Sequence, residues 1–443
     1  MLNVHPLVDQ YVSEVTRQVK ARELRKEIQE ELVGHLEERI ESKRAEGLSE
    51  EAAVRWAIEQ MGDTRSVAAG LNQVHKPRIP WAMLAVLAVL LTAALVTMYA
   101  VELSYTSASR QYIGSYQLFY RHAVHLGIGL VVMLLVSRIN YRKVLSYASV
   151  IYGVSVVLVA AAIWVGPRIN GVRGYFNVGS ITLDVKDLSM VLFLVAAVGH
   201  LGHIGFGEAR WKTVIIQCVM YSIVPALLYA MVPSIDNLVY YGLAYFLFLY
   251  LSRQDWRLLV THVVLWCLPL VIVTSFIQHG WERITLRLNS FLDRYNAPLD
   301  GGYTYVQIDS AIRSAGWWGR GYGVSADLMP NIHSDMILTY MIYSMGWVFS
   351  AIVLLFMLVF VAELLRAAMA VRDLVGKQLV GALGSLFAVK FMFSIGMSLG
   401  LLPLSIISVP FVSYGGTGML VQLAAIGLIY SVYRRKDMVR VSV

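Results

Sequence analysis

Long apolar runs, separated by short charged or polar segments, make up the chain from about residue 81 onward. A helix needs about 20 predominantly apolar residues to cross the hydrocarbon core of a bilayer, with allowance for tilt and for ambiguous ends. The pattern therefore predicts an all-α polytopic membrane domain over residues 79–443. Its ten transmembrane helices are expected at about 81–102, 121–137, 144–165, 187–203, 212–232, 237–252, 258–277, 335–362, 378–399 and 413–433.

Residues 1–78 have a different pattern, because charges of both signs are interleaved there at helical spacing. An apolar stripe recurs at every fourth residue, at Leu24, Ile28, Leu32, Leu36 and Ile40. The pattern predicts a small soluble domain of three or four short helices. Residues 32–62 resemble the helical domain that precedes some bacterial permeases and anti-sigma-type membrane proteins. Two roles stay open: a solvated helical cap, or a docking module for a cytoplasmic partner protein.

Composition supports the membrane class and excludes others. Hydrophobic residues make up 57% of the chain and charged residues 15%, with a mean hydropathy of +0.61, which is more apolar surface than one soluble core can bury. The net charge of +8 does not indicate nucleic-acid binding, since the basic residues lie mainly in short loops between apolar runs. Cys218 and Cys267 both fall inside apolar runs, so we expect neither a disulfide framework nor a metal site.

The basic residues also predict the orientation of the chain. They cluster in alternate loops, all on the side of the N-terminal domain: Arg138, Arg142, Lys143, Arg210, Lys212, Arg253, Arg257, Arg366, Arg372, Lys377, Arg434, Arg435 and Lys436. Lys and Arg favour the cytoplasmic side of a membrane protein. Both termini are therefore expected in the cytoplasm, and residues 278–334 form a large extracytoplasmic loop between helices seven and eight.

The most polar stretch of the membrane domain, residues 287–335, lies mainly in this loop. It is too polar to cross a bilayer and too long for a minimal connection, and it is rich in Asp, Arg, Tyr, Trp and Gly, which favours a functional loop. Lys390 is a second unusual feature, because it lies within the ninth predicted span. A charge at that depth usually faces a cavity or a partner, although a Lys can also extend towards the interface.

Several motifs then carry a resemblance. They are SIGMSLGLLP at 394–403, PFVSYGGT at 410–417, GYTYVQIDSAIRSAGWWGRGYG at 302–323, LMPNIHSD at 328–335 and NGVR at 170–173. Together they resemble the shape, elongation, division and sporulation (SEDS) family, to which FtsW, RodA and SpoVE belong. The resemblance covers roughly residues 81–436 and includes the count of ten spans.

The resemblance implies a peptidoglycan glycosyltransferase of the bacterial cytoplasmic membrane. Such proteins polymerise lipid II, an undecaprenyl-linked precursor, usually beside a class B penicillin-binding protein, in elongation, division or sporulation. The reaction needs a carboxylate that takes a proton from the acceptor hydroxyl and cations that stabilise the departing pyrophosphate.

The implied substrate-binding residues are Arg121, Arg173, Asp187, Arg287, Gln307, Arg320, His333, Asp335, Lys390, Ser413, Tyr414, Gly415, Gly416 and Thr417. For a single Arg, the alternative is a headgroup contact or a surface charge. The cofactor stays unknown, including any need for a divalent cation.

One departure from the family pattern concerns the catalytic acid. The family has an Asp in the loop where this chain has Ala297, directly before Pro298 and Leu299. We expect Asp300 to replace it as the catalytic base, although Asp300 could equally be a solvated loop residue or a turn former. The family's QPSE motif reads Asp184-Val-Lys-Asp187, and Met190 stands where a Lys is usual. A second function therefore stays open: a non-catalytic lipid II binder or flippase, or a scaffold for a transpeptidase.

Overall fold

The computed structural model describes thirteen stretches of the chain, which divide into two compact units, residues 1–79 with 433–443 and residues 80–432. The stretches are 5–20, 25–74, 78–105, 117–168, 172–178, 181–202, 211–232, 235–252, 256–276, 280–296, 301–326, 329–405 and 407–436. Asp300 and Ala297 lie outside them, as do Asn170 and Gly171 of the NGVR motif.

The smaller unit contains four amphipathic helices: α1 (Pro6–Gln18), α2 (Arg25–Ala45), α3 (Glu50–Met61) and α4 (Thr64–Val74). Its core includes Ile28, Leu32, Leu36 and Ile40 of the predicted stripe, with Leu36 fully buried, whereas Leu24 lies outside the described residues. Ser49 caps α3 by accepting a hydrogen bond from the Ala52 amide, and Gly62, at φ +87°, ends it. Tyr11 joins α1 to this end through a 2.8 Å hydrogen bond from its hydroxyl to the Gly62 carbonyl. These helices bury their apolar faces against one another.

The larger unit is a helical bundle. Its described elements are α5 (Trp81–Ser104), α6 (Leu118–Arg138), α7 (Tyr141–Ser146), α8 (Ala148–Val165), β1 (Tyr175–Val178), β2 (Ile181–Asp184), α9 (Val185–Leu201), α10 (Trp211–Cys218), a π-helical turn (Val219–Ile223), α11 (Val224–Met231), α12 (Ile235–Leu251), α13 (Trp256–Phe276), α14 (Gly280–Leu292), α15 (Tyr303–Ala315), α16 (Ile337–Ala370), α17 (Leu374–Ser398) and α18 (Gly416–Arg434).

Within the described ranges, six helices are long and apolar enough to cross a membrane, namely α5, α6, α8, α16, α17 and α18. The other predicted spans correspond to shorter or interrupted helices. Both α9 and α12 have 17 residues, a π-helical turn separates α10 from α11, and Pro269 lies inside α13. The chain is therefore an integral membrane protein, and the count of ten spans stays a prediction.

A short antiparallel hairpin departs from the all-α expectation. Strands β1 and β2 pair with Tyr175 opposite Asp184 and Phe176 opposite Leu183. Four-residue strands with aromatic and β-branched residues are too short to give a periodic signal, which is why the hydropathy pattern did not indicate them. Asp184 ends the hairpin and caps α9 by accepting hydrogen bonds from the amides of Lys186 and Asp187. The hairpin thus fixes the start of a bundle helix.

The glycine-rich part of the polar loop is hydrogen-bonded into a break in α16. Helix α16 has non-helical geometry at Gly346, with φ +84°. The amides of Arg320 and Gly321 donate to the carbonyls of Tyr343 and Ser344 at 2.9 and 3.1 Å. In the other direction, the amides of Trp347 and Val348 donate to the carbonyls of Gly316 and Trp317 at 3.2 and 3.1 Å, so that four backbone hydrogen bonds join the two segments. Loop backbone thus satisfies the groups that the break exposes.

We expect Gly319→Ala to destabilise the protein strongly. A Cβ at Gly319 would lie 2.6 Å from the Gly346 nitrogen, and backbone atoms cannot move away cheaply. The matched control is Gly321→Ala, which shares a positive φ but has open space around its Cβ. In thermal unfolding of the purified protein, Gly319→Ala should lower Tm by several degrees more than Gly321→Ala, an excess of about 1–3 kcal/mol. Equal losses would show that the close backbone contact is unimportant.

Candidate functional site

A polar cavity of about 390 Å³ opens between the hairpin, the N-terminal ends of α9 and α12, the segment before α16, and helices α17 and α18. Polar and charged side chains from distant parts of the sequence meet there. Its walls include Tyr175, Thr182, Asp184, Lys186, Asp187, Asn237, Tyr240, Asn331, His333, Ser334, Asp335, Lys390, Ser408, Tyr414, Gly415, Gly416, Thr417 and Gly418. Eight of the predicted substrate-binding residues are in this set.

An ion pair between Asp187 and Lys390 forms the inner part of the wall. Lys390 Nζ donates to Asp187 Oδ2 at 2.8 Å, and the two side chains are 6% and 15% exposed. Lys390 comes from the middle of α17, and Asp187 from the first turn of α9. Lys390 therefore faces a cavity, as expected for a charge within a span. Met190, at the position where the family resemblance places a Lys, is fully buried, so the cation beside Asp187 comes from α17.

A second buried cation, Lys186, faces the same cavity. Its Nζ lies 3.2 Å from Asp184 Oδ1 and 3.3 Å from the centre of the Tyr175 ring. The contact with Asp184 is an ion pair without the geometry of a hydrogen bond, and Nζ has no hydrogen-bond partner within the described residues. A buried ammonium with unused donors can bind an anionic ligand. Tyr175 adds a cation–π contact on one side.

The PFVSYGGT motif at 410–417 ties the cavity walls together. The Tyr414 amide donates to the His333 carbonyl, and Ser413 Oγ to the Ser334 carbonyl, both at 2.8 Å. Thr417 Oγ1 donates to the Thr182 carbonyl and accepts from the Asp184 amide, both at 3.0 Å. Ser413 and Thr417 thus join the loop before α16 and the hairpin to the start of α18.

Asp335 is the acid of this cavity that has no counter-ion. It precedes α16, and its carboxylate forms no hydrogen bond or ion pair with any residue in the described part of the chain. Burial, together with the nearby Asp236 carboxylate, raises the pKa of Asp335 to about 7. His333, two residues earlier, exchanges a 2.9 Å hydrogen bond with the Tyr105 hydroxyl, and burial lowers its pKa. Asp335 can therefore accept or release a proton near neutral pH.

Some predicted residues lie away from the cavity lining. Arg287 of α14 forms an ion pair with Asp236 at 2.7 Å. Asp236 lies in the first turn of α12, close in sequence to the lining residues Asn237 and Tyr240. Arg173 Nη1 donates to the Ile163 carbonyl at 2.5 Å, while its Nε is buried without a hydrogen-bond partner in the described ranges. Arg121 and Arg320 are exposed and Gln307 is half-buried, all outside the cavity wall. Their substrate-binding roles stay predictions, as does the role of Asp300.

Several lining residues were not among those predicted, notably Tyr175, Asp184, Lys186, Asn237 and Tyr240. The run Asp184-Val-Lys-Asp187 was a usable signal, because three charges stood at the start of an apolar helix. Asn237 and Tyr240 are three residues apart at the start of α12, which places them on one helix face. No group of three or more His, Cys, Asp or Glu side chains in the described ranges is arranged to hold a metal ion.

Lys390→Met should destabilise the protein, because it leaves the Asp187 carboxylate buried without its partner. Breaking a buried pair in this way costs about 3–5 kcal/mol. Thermal unfolding should show a large fall in Tm, and adding Asp187→Asn should recover much of it. The control is Arg313→Met, which breaks the exposed pair with Asp309 and should leave Tm unchanged. A double variant no better than Lys390→Met would contradict the role of the pair.

Comparison with known proteins identifies the larger unit. Residues 81–438 match the FtsW, RodA and SpoVE family model, described as cell cycle protein. Peptidoglycan glycosyltransferase MrdB of Escherichia coli K12 is 27% identical over 368 residues, covering 82% of this chain and 95% of the relative. Stage V sporulation protein E of Bacillus subtilis is 24% identical, covering 78% and 94%.

Solved structures share the fold. One comes from a study of how a peptidoglycan synthase complex coordinates polymerisation and crosslinking, with a TM-score of 0.64 at 23% identity over 80% of this chain and 98% of that one. RodA of Thermus thermophilus gives a TM-score of 0.58 at 19% identity, covering 80% and 97%. The motifs, the bundle and the family match agree, and the chain belongs to the FtsW, RodA and SpoVE family.

Proposed function

We propose that the protein is a peptidoglycan glycosyltransferase that polymerises lipid II into glycan strands. The observation that carries the proposal is the polar cavity, in which two buried lysines meet Asp335, an acid with no ion-pair partner among the described residues, beside the family motifs. The relatives named as peptidoglycan glycosyltransferases support it. The family membership places the chain in the bacterial membrane, where such a precursor is available.

Lys186 is the proposed contact for the pyrophosphate that leaves when the glycosidic bond forms. Its unused N–H donors and its burial make an electrostatic contact with an oxyanion stronger than it would be in water. Lys390 contributes a second positive charge, held by Asp187 in a fixed position. Negative charge grows on the leaving oxygen during the reaction, so fixed cations stabilise the transition state more than the bound substrate.

Two carboxylates compete for the role of general base. Asp300 is the proposal from sequence, since it lies three residues after Ala297 in the loop where the family has its acid. Asp335 is the second candidate, because it lines the cavity and its pKa of about 7 lets it exchange a proton at neutral pH. Either residue would take the proton from the acceptor hydroxyl as that oxygen attacks the anomeric carbon.

The finer parts of the proposal concern topology and partners. Ten spans with both termini in the cytoplasm place the polar cavity on the outer side, where the loop of residues 278–334 begins and ends. A class B penicillin-binding protein is the proposed partner that crosslinks the product strands. The four helices before the first span are proposed as a docking module for a cytoplasmic protein, because they have a core of their own.

Purified protein should polymerise labelled lipid II, and Asp300→Asn should lower turnover by about 10² to 10⁴, the usual effect of losing general-base catalysis. An equal loss in Asp335→Asn instead would assign the base to Asp335. In that case the wild-type rate should rise as pH increases through about 7, since an Asp acts as a base only when deprotonated. Asp309→Asn, in an exposed ion pair, is the control and should be near wild type.

Absence of polymerisation by the wild type, alone and with a class B penicillin-binding protein, would contradict the enzyme proposal. The alternative function, a non-catalytic lipid II binder, flippase or scaffold, would then hold. Ala297→Asp restores the family acid, and activity gained only in this variant would explain the inactivity by the missing carboxylate.

The orientation is tested with cysteines placed on the two sides, after Cys218 and Cys267 are replaced by Ala. Ser325→Cys, exposed in the polar loop, should react with an impermeant thiol reagent in intact cells. Ser146→Cys, exposed beside Arg142 and Lys143, should react only after the cells are opened. The reverse pattern would place the polar cavity on the cytoplasmic side.

A further inference from the structure

A second cavity lies on the side of the bundle, and the polymerisation chemistry makes no use of it. This lateral cavity, of about 710 Å³, is bounded by the end of α12, the second half of α16 and the first half of α17. Its lining is mostly apolar, including Leu247, Phe248, Leu364 and Val380. It is larger than the polar cavity of about 390 Å³.

The dimensions of the lateral cavity match one leaflet of a bilayer. Along α17 it extends from Leu374 to Ala388, which is a distance of about 21 Å at 1.5 Å per residue. Half of a bilayer, including its headgroup region, is about 20–22 Å. Lys390, in the polar cavity, is about 20 Å along the helix from Lys377. The lateral cavity therefore spans the half of the membrane that is opposite the polar cavity.

Small residues open this cavity towards α17. Gly381, Gly384 and Ala388 follow Lys377 at intervals of three or four residues, so all four lie on one helix face. A Cβ at Gly381 would meet no atom within 4 Å, and one at Gly384 would meet only Leu364, at 3.6 Å. The glycines thus leave open space along this face of α17.

Lys377 is the cation among the described lining residues, and it lies at the end of the lateral cavity near the start of α17. Lys377 is exposed, and its ammonium forms no ion pair with the described residues around it. Lys and Arg near the membrane surface attract anionic headgroups, with a contribution of about 1 kcal/mol each. The arrangement is an apolar channel of leaflet depth with a positive charge at its mouth.

We propose that the lateral cavity binds one acyl chain of an anionic phospholipid, whose phosphate contacts Lys377. A lipid is favoured over a partner helix because the channel is only one leaflet deep, whereas a spanning helix would need a complementary face through both leaflets. With the proposed orientation, the lipid belongs to the cytoplasmic leaflet. The site is separate from the polar cavity, so it does not depend on the polymerase activity.

The test uses the full chain in phosphatidylcholine vesicles with phosphatidylglycerol that carries a diazirine at its acyl-chain end. The mole fraction of this probe lipid in the vesicles is varied. After irradiation, the amount of crosslinked peptide from α12, α16 and α17 should rise with that fraction and then saturate. Gly381→Leu should raise the half-saturating fraction about tenfold, as expected for displacing two buried methylene groups. Gly153→Leu is the matched control, because a Cβ there also meets open space but lies outside the cavity.

Lys377→Gln tests the headgroup contact separately and does not alter the channel. It should raise the half-saturating fraction about fivefold for the phosphatidylglycerol probe and leave a phosphatidylcholine probe unchanged. Thermal unfolding and gel filtration check that each variant is folded. Equal crosslinking in Gly381→Leu and Gly153→Leu, equal affinity of the two probes, or a copurified polypeptide crosslinked in the cavity would overturn the proposal.

Discussion

A charge within the bilayer has to be neutralised by the protein, and this constraint shapes the centre of the bundle. Lys390 lies within a spanning helix, where an unneutralised charge is costly, and Asp187 neutralises it from the end of a neighbouring helix. The pair fixes the relative positions of α9 and α17. Asp184 of the hairpin caps α9, and its amide donates a hydrogen bond to Thr417 at the start of α18. The position of α9 is therefore linked to the positions of the hairpin and of α18. The cavity walls are thus joined through one buried ion pair.

The pair between Asp187 and Lys390 joins two different helices. A Lys at position 190 would share the helix of Asp187, whereas Lys390 reaches the same carboxylate from a different helix. A buried carboxylate needs a cation within hydrogen-bond distance, and any neighbouring helix can supply it. A cross-helix pair also contributes to tertiary packing, which a pair within one helix cannot do.

The sequence predicted those parts of the structure that depend on periodicity or on the cost of burying a charge. Helices α5, α16 and α17 followed from their apolar runs, and the cavity-facing position of Lys390 followed from its charge. The hairpin was missed because its strands are four residues long. Lys186 was missed because its cavity contact depends on the tertiary fold, which brings Tyr175 over its ammonium. The position of Asp335 beside Asp236 likewise depends on the packing of α12 against the segment before α16, which no local pattern encodes.

The contact between the polar loop and the break in α16 couples the loop to the movement of a spanning helix. Gly346 lies about 14 Å along the helix from Ile337, so the loop backbone at Gly319 is held well below the top of α16. Trp317 and Trp318 beside it are 74% and 81% exposed, and Trp side chains favour the interface between lipid and water. Four backbone hydrogen bonds join residues 316–321 to the break in α16. Any displacement of α16 therefore displaces this part of the polar loop, and the two exposed Trp side chains, with it.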